Sequence, residues 1–173
     1  MEKIKVLINE EELNRRIKEI AEKISEDYKN EEIVLVCILK GASYFTMDLS
    51  RYIKNEKLIL DFMKVHSYGK NNRETSGKVN IDLSPSEELE GKNVIIIEDI
   101  LDSGITLNCL YDYINDLKPK TLKICVLLDK KERRIKPIEA DYVGFEIENK
   151  FIVGYGMDYD EKLRNLPYIG YIE

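Results

Sequence analysis

At 173 residues the chain is long enough for one domain with a sizeable core and too short for two large ones. An apolar fraction of 43% and a charged fraction of 35% exclude a disordered chain, and no apolar run approaches the roughly 18 to 20 residues of a membrane span. A net charge of −6 argues against a nucleic-acid partner, which needs a concentrated positive face, but leaves room for a phosphate-rich small substrate held by a few cations.

The opening segment MEKIKVLINE lacks a signal-like apolar core, so a cytoplasmic location is expected. Leu13, Ile17, Ile20, Ala21 and Ile24 then form an amphipathic helical stripe, with Asn9 and Glu12 placed as a capping pair. Ile33 to Leu39 is a continuous apolar run, as expected of a parallel strand covered on both faces. It ends in Lys40-Gly41-Ala42, which reads either as an anion grip or, on the residues alone, as a solvated lysine in a tight turn. Phe45, Leu49, Tyr52 and Ile53 trace a second helix and Leu58 to Val65 a second strand, so the alternation points to βαβ construction. From Ser67 to Lys78 the apolar pattern is lost, and Val79, Ile81 and Leu83 alternate after it. Two strands around a polar segment read as a hairpin lid, with Tyr68 as its one large side chain. His66 has no second histidine to share a metal with and is assigned no chemistry.

The stretch Val94 to Thr106, VIIIEDILDSGIT, is the most informative. Four β-branched residues lead to Glu98 and Asp99, Asp102 enters a turn through Ser103 and Gly104, and Leu107, Leu110, Tyr111, Ile114 and Leu117 then repeat with helical spacing until Lys118 and Pro119. A strand-turn-helix unit of this kind sets the N–H groups of residues 103 to 106 at a helix N-terminus, where unpaired donors and the positive dipole end favour a phosphate. Three carboxylates beside such a pocket suit ribose hydroxyls, a divalent cation or a proton-accepting base.

Leu122 to Leu128 is another buried strand, and the charge run Asp129 to Arg134 that follows reads mostly as a solvated face, with Lys130 at the strand end singled out. Asp141 to Phe145 and Lys150 to Val153 are short strand candidates. Phe151 taken alone is a core aromatic and Asp158 a turn residue; the tail YIGYIE reads as packing. Cys37, Cys109 and Cys125 are odd in number and lack metal-ligand spacing, which marks them as reduced thiols. No Walker A loop, dinucleotide fingerprint or internal repeat is present.

Several of these segments fall in one order. VIIIEDILDSGIT resembles the phosphoribosyl pyrophosphate (PRPP) signature of type I phosphoribosyltransferases. LKGA at 39 to 42, SYG at 67 to 69, LLDK at 127 to 130, DYVGFEI at 141 to 147, KFIVGYGMDY at 150 to 159 and RNLPYIG at 164 to 170 resemble the bacterial hypoxanthine branch of that family along almost the whole chain. The resemblance implies a single α/β domain over residues 1–173: a mainly parallel sheet flanked by helices, with a small hood and a flexible β-hairpin lid over about 67–78. It also implies Mg²⁺-dependent purine salvage, in which PRPP and a 6-oxopurine base give a nucleoside monophosphate and pyrophosphate, by a homo-dimer or tetramer.

By position, the resemblance assigns Asp102, Ser103, Gly104, Ile105 and Thr106 to the 5′-phosphate, with Asp102 also facing purine N7 as the catalytic proton acceptor. Glu98 and Asp99 fall on the ribose hydroxyls and a metal ion. Leu39, Lys40, Gly41 and Arg164 fall on pyrophosphate, with the Leu39–Lys40 bond often cis in the family. Lys130, Phe151, Ile152 and Asp158 fall on the purine, Asp158 also on a second magnesium ion, and Ser67 and Tyr68 on the lid. Lys131 stands where bacterial relatives often have proline, and Met157 where leucine is usual, with its main chain facing the purine. Two other readings compete: a PRPP-binding regulator without catalysis, and a phosphohydrolase using Asp99 as nucleophile, whose class would want Asp-x-Asp.

Overall fold

A strand that is apolar at every position has no face to give to water, and in the computed structural model, which describes residues 3–67 and 79–173, such strands form the centre of the molecule. In chain order the elements are β1 (Ile4–Ile8), α1 (Glu10–Asp27), β2 (Ile33–Leu39), α2 (Ser43–Tyr52), β3 (Leu58–Ser67), β4 (Val79–Leu83), β5 (Asn93–Leu101), α3 (Ile105–Asp116), β6 (Thr121–Asp129), a 3₁₀ turn (Lys131–Arg133), β7 (Tyr142–Glu146), β8 (Phe151–Val153) and β9 (Ile169–Ile172). The main sheet has the order β4-β3-β2-β5-β6-β7. All neighbours run parallel except β4, which pairs antiparallel with β3 at the edge.

Side chains alternate across a strand, so each central strand feeds two cores. Ile33, Leu35, Ile95, Ile97 and Leu127 pack with Leu13, Ile17 and Ile24 of α1 and Phe45 and Leu49 of α2. Val34, Val36, Val94, Ile96 and Val126 pack on the opposite face with Leu107, Leu110 and Ile114 of α3. Truncating one of these fully buried leucines or isoleucines to alanine costs about 2–5 kcal/mol. The expected cap at the start of α1 is present: the Glu12 amide donates to Asn9 Oδ1 at 2.9 Å.

A second, antiparallel sheet of order β1-β9-β8 joins the two ends of the chain and forms the expected hood. Strand β1 has no counterpart in the sequence reading, and the tail YIGYIE supplies its partner β9. The strand order of the main sheet reverses between β2 and β5, with β3 beyond one and β6 beyond the other. The crevice outside the C-terminal ends of strands at such a switch point is where open α/β sheets bind ligands. Strands β3 and β4 pair up to Ser67 and Val79, which gives the base of the expected hairpin; Tyr68 and the rest of the lid segment lie outside the described residues.

Candidate active site

The floor of the crevice is a close approach between the ends of β2 and β5. Asp99 Oδ2 lies 1.8 Å from where a Cβ on Gly41 would stand, and the Gly41 carbonyl oxygen lies 2.1 Å from the Cβ position of Gly156, a glycine at φ +101°. Only glycines let the two strand ends and the hood meet this closely. Strand β5 continues through Leu101, paired with β6, so Glu98 and Asp99 sit within the strand and not beyond its end. Glu98 Oε1 accepts from the Asp99 amide at 3.1 Å, and Asp99 Oδ1 from the Ile100 amide at 2.8 Å. Burial and then the neighbouring Asp99 charge push the Glu98 carboxyl well above its usual range. A cation at this pair would relieve that repulsion.

The turn that follows is fixed from behind. Gly104 caps α3 at φ +77°, and a Cβ there would lie 2.7 Å from Ile138 Cγ2 and 3.1 Å from Arg134 Cδ. The Ser103 carbonyl accepts from the amides of Ile135 and Lys136 at 2.9 and 3.1 Å, and Arg134 Nε donates to the Asp102 carbonyl at 3.1 Å. Arg134 also pairs with Asp129, which is only 3% exposed. The charge run Asp129 to Arg134 is therefore not mostly a solvated face: Asp129 and Lys130 are buried, Arg134 is half-buried against the turn, and Lys131, Glu132 and Arg133 alone are exposed. Lys131 opens a 3₁₀ turn and pairs with Glu146 at 2.7 Å. Arg133 Nε lies 3.2 Å from Asp102 Oδ1, without the alignment of a hydrogen bond. With the turn held this way, the Thr106 and Leu107 N–H groups and the Ser103 and Thr106 hydroxyls can donate to an anion, while the Ile105 amide donates to Ser103 Oγ at 3.4 Å.

Lys130 is 6% exposed; its amide donates to the Leu101 carbonyl at 2.9 Å and its ammonium to the Lys150 carbonyl at 2.7 Å. Burial lowers its pKa from the ordinary lysine value. Two of the three ammonium donors remain for a ligand. Phe151 is not a core residue: its ring is 55% exposed and meets Tyr159 edge to face at 5.7 Å. Ile152, beside it on β8, is buried. Both main-chain polar atoms of Met157 pair with Gly154, at 2.9 and 3.1 Å, so its backbone is engaged within the hood turn.

On the other side of Gly41 lies a cleft of about 580 Å³ lined by Leu39, Lys40, Lys64, Val65, Asp158, Glu161 and Arg164. The Leu39–Lys40 peptide bond is cis. Lys40 Nζ is 2.7 Å from Glu161 Oε2, and Arg164 reaches Asp158 Oδ1 at 2.9 Å and Glu161 Oε1 at 3.3 Å. The sequence reading missed Lys64 and Glu161: Lys64 sits on the largely apolar strand β3 and Glu161 in a charged segment, with no local pattern to set either apart. Among the described residues no three Asp, Glu, His or Cys side chains gather as a metal centre, so Glu98 and Asp99 on one side and Asp158 on the other are separate acidic positions.

Residues 7–160 match the phosphoribosyl transferase domain family. The chain belongs to the phosphoribosyltransferase family. It is 46% identical to the hypoxanthine-guanine phosphoribosyltransferase of Aquifex aeolicus (strain VF5), over 99% of this chain and 96% of that one. It is 44% identical to the enzyme of the same name from Bacillus subtilis (strain 168), over 98% and 93%. The crystal structure of a hypoxanthine-guanine phosphoribosyltransferase from Bacillus anthracis, with a HEPES molecule in its active site, matches with a TM-score of 0.94 at 48% identity and covers all of both chains. The parallel sheet, the hood and the crevice at the β2/β5 switch point are therefore those of a type I phosphoribosyltransferase, and no described helix is long and apolar enough to cross a membrane.

Proposed function

We propose that this chain is a purine-salvage enzyme that transfers the 5-phosphoribosyl group of PRPP to hypoxanthine and guanine, giving IMP or GMP and pyrophosphate, as a cytoplasmic homo-oligomer. The observation that carries the reading is a single crevice, closed at Gly41, with a buttressed anion turn and acid pair on one side and a cation-lined cleft on the other. The names of the Aquifex and Bacillus relatives support the same substrates.

Residues 102 to 106 hold the 5′-phosphate through backbone N–H groups, and Glu98 and Asp99 orient the ribose hydroxyls. The base lies between Phe151 and the strand ends, with Lys130 donating to the purine 6-oxygen and the Ile152 backbone along its edge. As the bond from the anomeric carbon to the pyrophosphate oxygen breaks, positive charge grows on the ribose and negative charge on the leaving group. Lys40 and Arg164, with the Leu39 and Gly41 backbone, stabilise the latter from fixed positions. The N9 lone pair forms the new bond to the anomeric carbon, and Asp102 accepts the proton that N7 gives up.

Magnesium fits this site. The raised Glu98 carboxyl beside Asp99 marks a position where a cation is wanted, and Asp158 offers a second. One or two carboxylates per ion, completed by water and substrate oxygens, is the usual magnesium arrangement. When bound, the ion supplies charge neutralisation for the departing pyrophosphate.

The test is incubation with PRPP, magnesium and each of hypoxanthine, guanine, xanthine and adenine. Nucleotide and pyrophosphate should form in equal amounts with hypoxanthine and guanine, and only at a residual rate with adenine. PRPP binding without turnover would instead mark a regulator, and phosphate release without nucleotide a phosphohydrolase.

A further inference from the structure

The two side chains assigned to pyrophosphate share one partner. Lys40 Nζ meets Glu161 Oε2 at 2.7 Å and Arg164 meets Glu161 Oε1 at 3.3 Å, so each carboxylate oxygen faces a different cation. The third cation of the cleft, Lys64, is 3.5 Å from Asp82 on β4. Asp158 reaches Arg164, and among the described residues only Glu161 bridges two of the three. Two oxygens on one anionic centre, spread between a lysine and an arginine, is also the arrangement that one phosphoryl group of pyrophosphate would take up.

The backbone aims the Glu161 carboxylate there. Glu161 is at φ +62°, with Asp160 at +50° and Leu163 at +71°, a conformation that side-chain-bearing residues adopt rarely. Three hydrogen bonds hold it: the Glu161 amide donates to Asp158 Oδ2 at 2.8 Å, and Tyr159 and Lys162 exchange amide-to-carbonyl bonds at 3.0 Å. The carboxylate itself is two-thirds exposed, with side-chain accessibility of 66%. An exposed pair is weak enough for a more highly charged anion to displace it.

We propose that Glu161 is a built-in counter-anion of the pyrophosphate subsite: it neutralises Lys40 and Arg164 while the cleft is empty, is displaced when PRPP enters, and returns to compete pyrophosphate off after transfer. The proposal rests on the reading of this cleft as the pyrophosphate subsite. Removing the Glu161 charge leaves Lys40 without this partner and Arg164 paired with Asp158 alone, so pyrophosphate no longer has to break the two Glu161 contacts in order to bind. Its affinity then rises, and its release slows.

The experiment is titration of the full-length wild type, Glu161→Gln and Arg164→Ala with inorganic pyrophosphate in the presence of magnesium. With two exposed contacts to break, Glu161→Gln should bind pyrophosphate about two- to thirtyfold more tightly. It should be inhibited more strongly by added pyrophosphate. A merely structural Glu161 would give weaker binding or none. Unchanged or weaker binding by a Glu161→Gln protein that melts like the wild type, while Arg164→Ala loses affinity, overturns the counter-anion alone. Wild type that does not bind pyrophosphate, or Arg164→Ala that binds as well as wild type, removes the subsite assignment and the proposal with it.

Discussion

The two sides of the crevice are built on different principles. On the side of Asp102 to Thr106 the groups assigned to the ligand are main-chain amides, held by a glycine with no room for a side chain and by a segment whose amides, with Arg134 of the Asp129–Arg134 pair, donate to the carbonyls of the turn. On the side of Asp158 to Arg164 they are side chains that neutralise one another, mostly in contact with water. Fixed dipoles cost no reorganisation when charge develops, whereas exposed ion pairs exchange readily for another anion. The difference suits the reaction: the nucleotide keeps its phosphate throughout, and the pyrophosphate must leave.

The strongest test of the fixed side is Asp102→Asn. The amide keeps the shape of the turn and cannot take the purine proton, so kcat should fall by roughly ten- to ten-thousandfold with PRPP affinity little changed. Steady-state kinetics with a separate PRPP binding titration measure both, and unchanged turnover would take Asp102 out of the chemistry.

Gly41→Ala strikes the joint between the two sides. The new methyl group would stand 1.8 Å from Asp99 Oδ2, and the Asp99 carboxylate cannot simply swing away while the Ile100 amide holds its other oxygen at 2.8 Å. A displacement of about 1 Å at a reacting centre costs on the order of a hundredfold. Both nucleotide and pyrophosphate binding should weaken here, whereas Glu161→Gln should tighten pyrophosphate alone. An active Gly41→Ala enzyme would show that the two sides are not coupled through this contact.

How much of this could be seen in the sequence follows the same division. The strand-turn-helix unit from Val94 to Leu117 was legible because strand, acids, turn and helix are consecutive, and the parallel strands because both their faces are apolar. The support behind the turn was not: Arg134 in a run of charges looks solvated until Asp129 and the Asp102 carbonyl are known to lie beside it. Strand β1 was missed because its partner β9 lies at the other end of the chain and Val6 on it is 56% exposed. Lys64 and Glu161 were missed because exposed charges acquire a role only from what the fold sets opposite them. Phe151 gave the opposite error: as an aromatic in a strand it read as core, and only the resemblance marked it for stacking.

Lys130→Ala comes next in size. A hydrogen bond from a charged donor contributes about 1.5–3 kcal/mol, so kcat/KM for hypoxanthine should drop roughly ten- to a hundredfold. The residual rate with a 6-aminopurine, which offers no acceptor at that position, should change little. Equal loss with both bases would mean that the lysine acts by tethering the Lys150 carbonyl, at 2.7 Å, and not by reading the purine.

The smallest expected effect concerns the floor both sides share. Cys37 lies on β2 two residues before Leu39, and burial pushes its thiol from 9.0 up to about 11, with Glu98 and Asp99 adding to the shift. Cys125 on β6 is pushed up by burial in the same way. Near pH 8 a thiol that ionises at 11 is only about a thousandth thiolate, so a thiol reagent should leave Cys37 and Cys125 unmodified in the folded enzyme. Because the unfolded thiol ionises near 9, the folded state should hold its full stability below that pH and lose it as pH climbs toward 11. Rapid labelling of Cys37 at neutral pH would mean that the floor opens on its own, and the contrast between a fixed nucleotide side and an exchangeable pyrophosphate side would then have no rigid base to stand on.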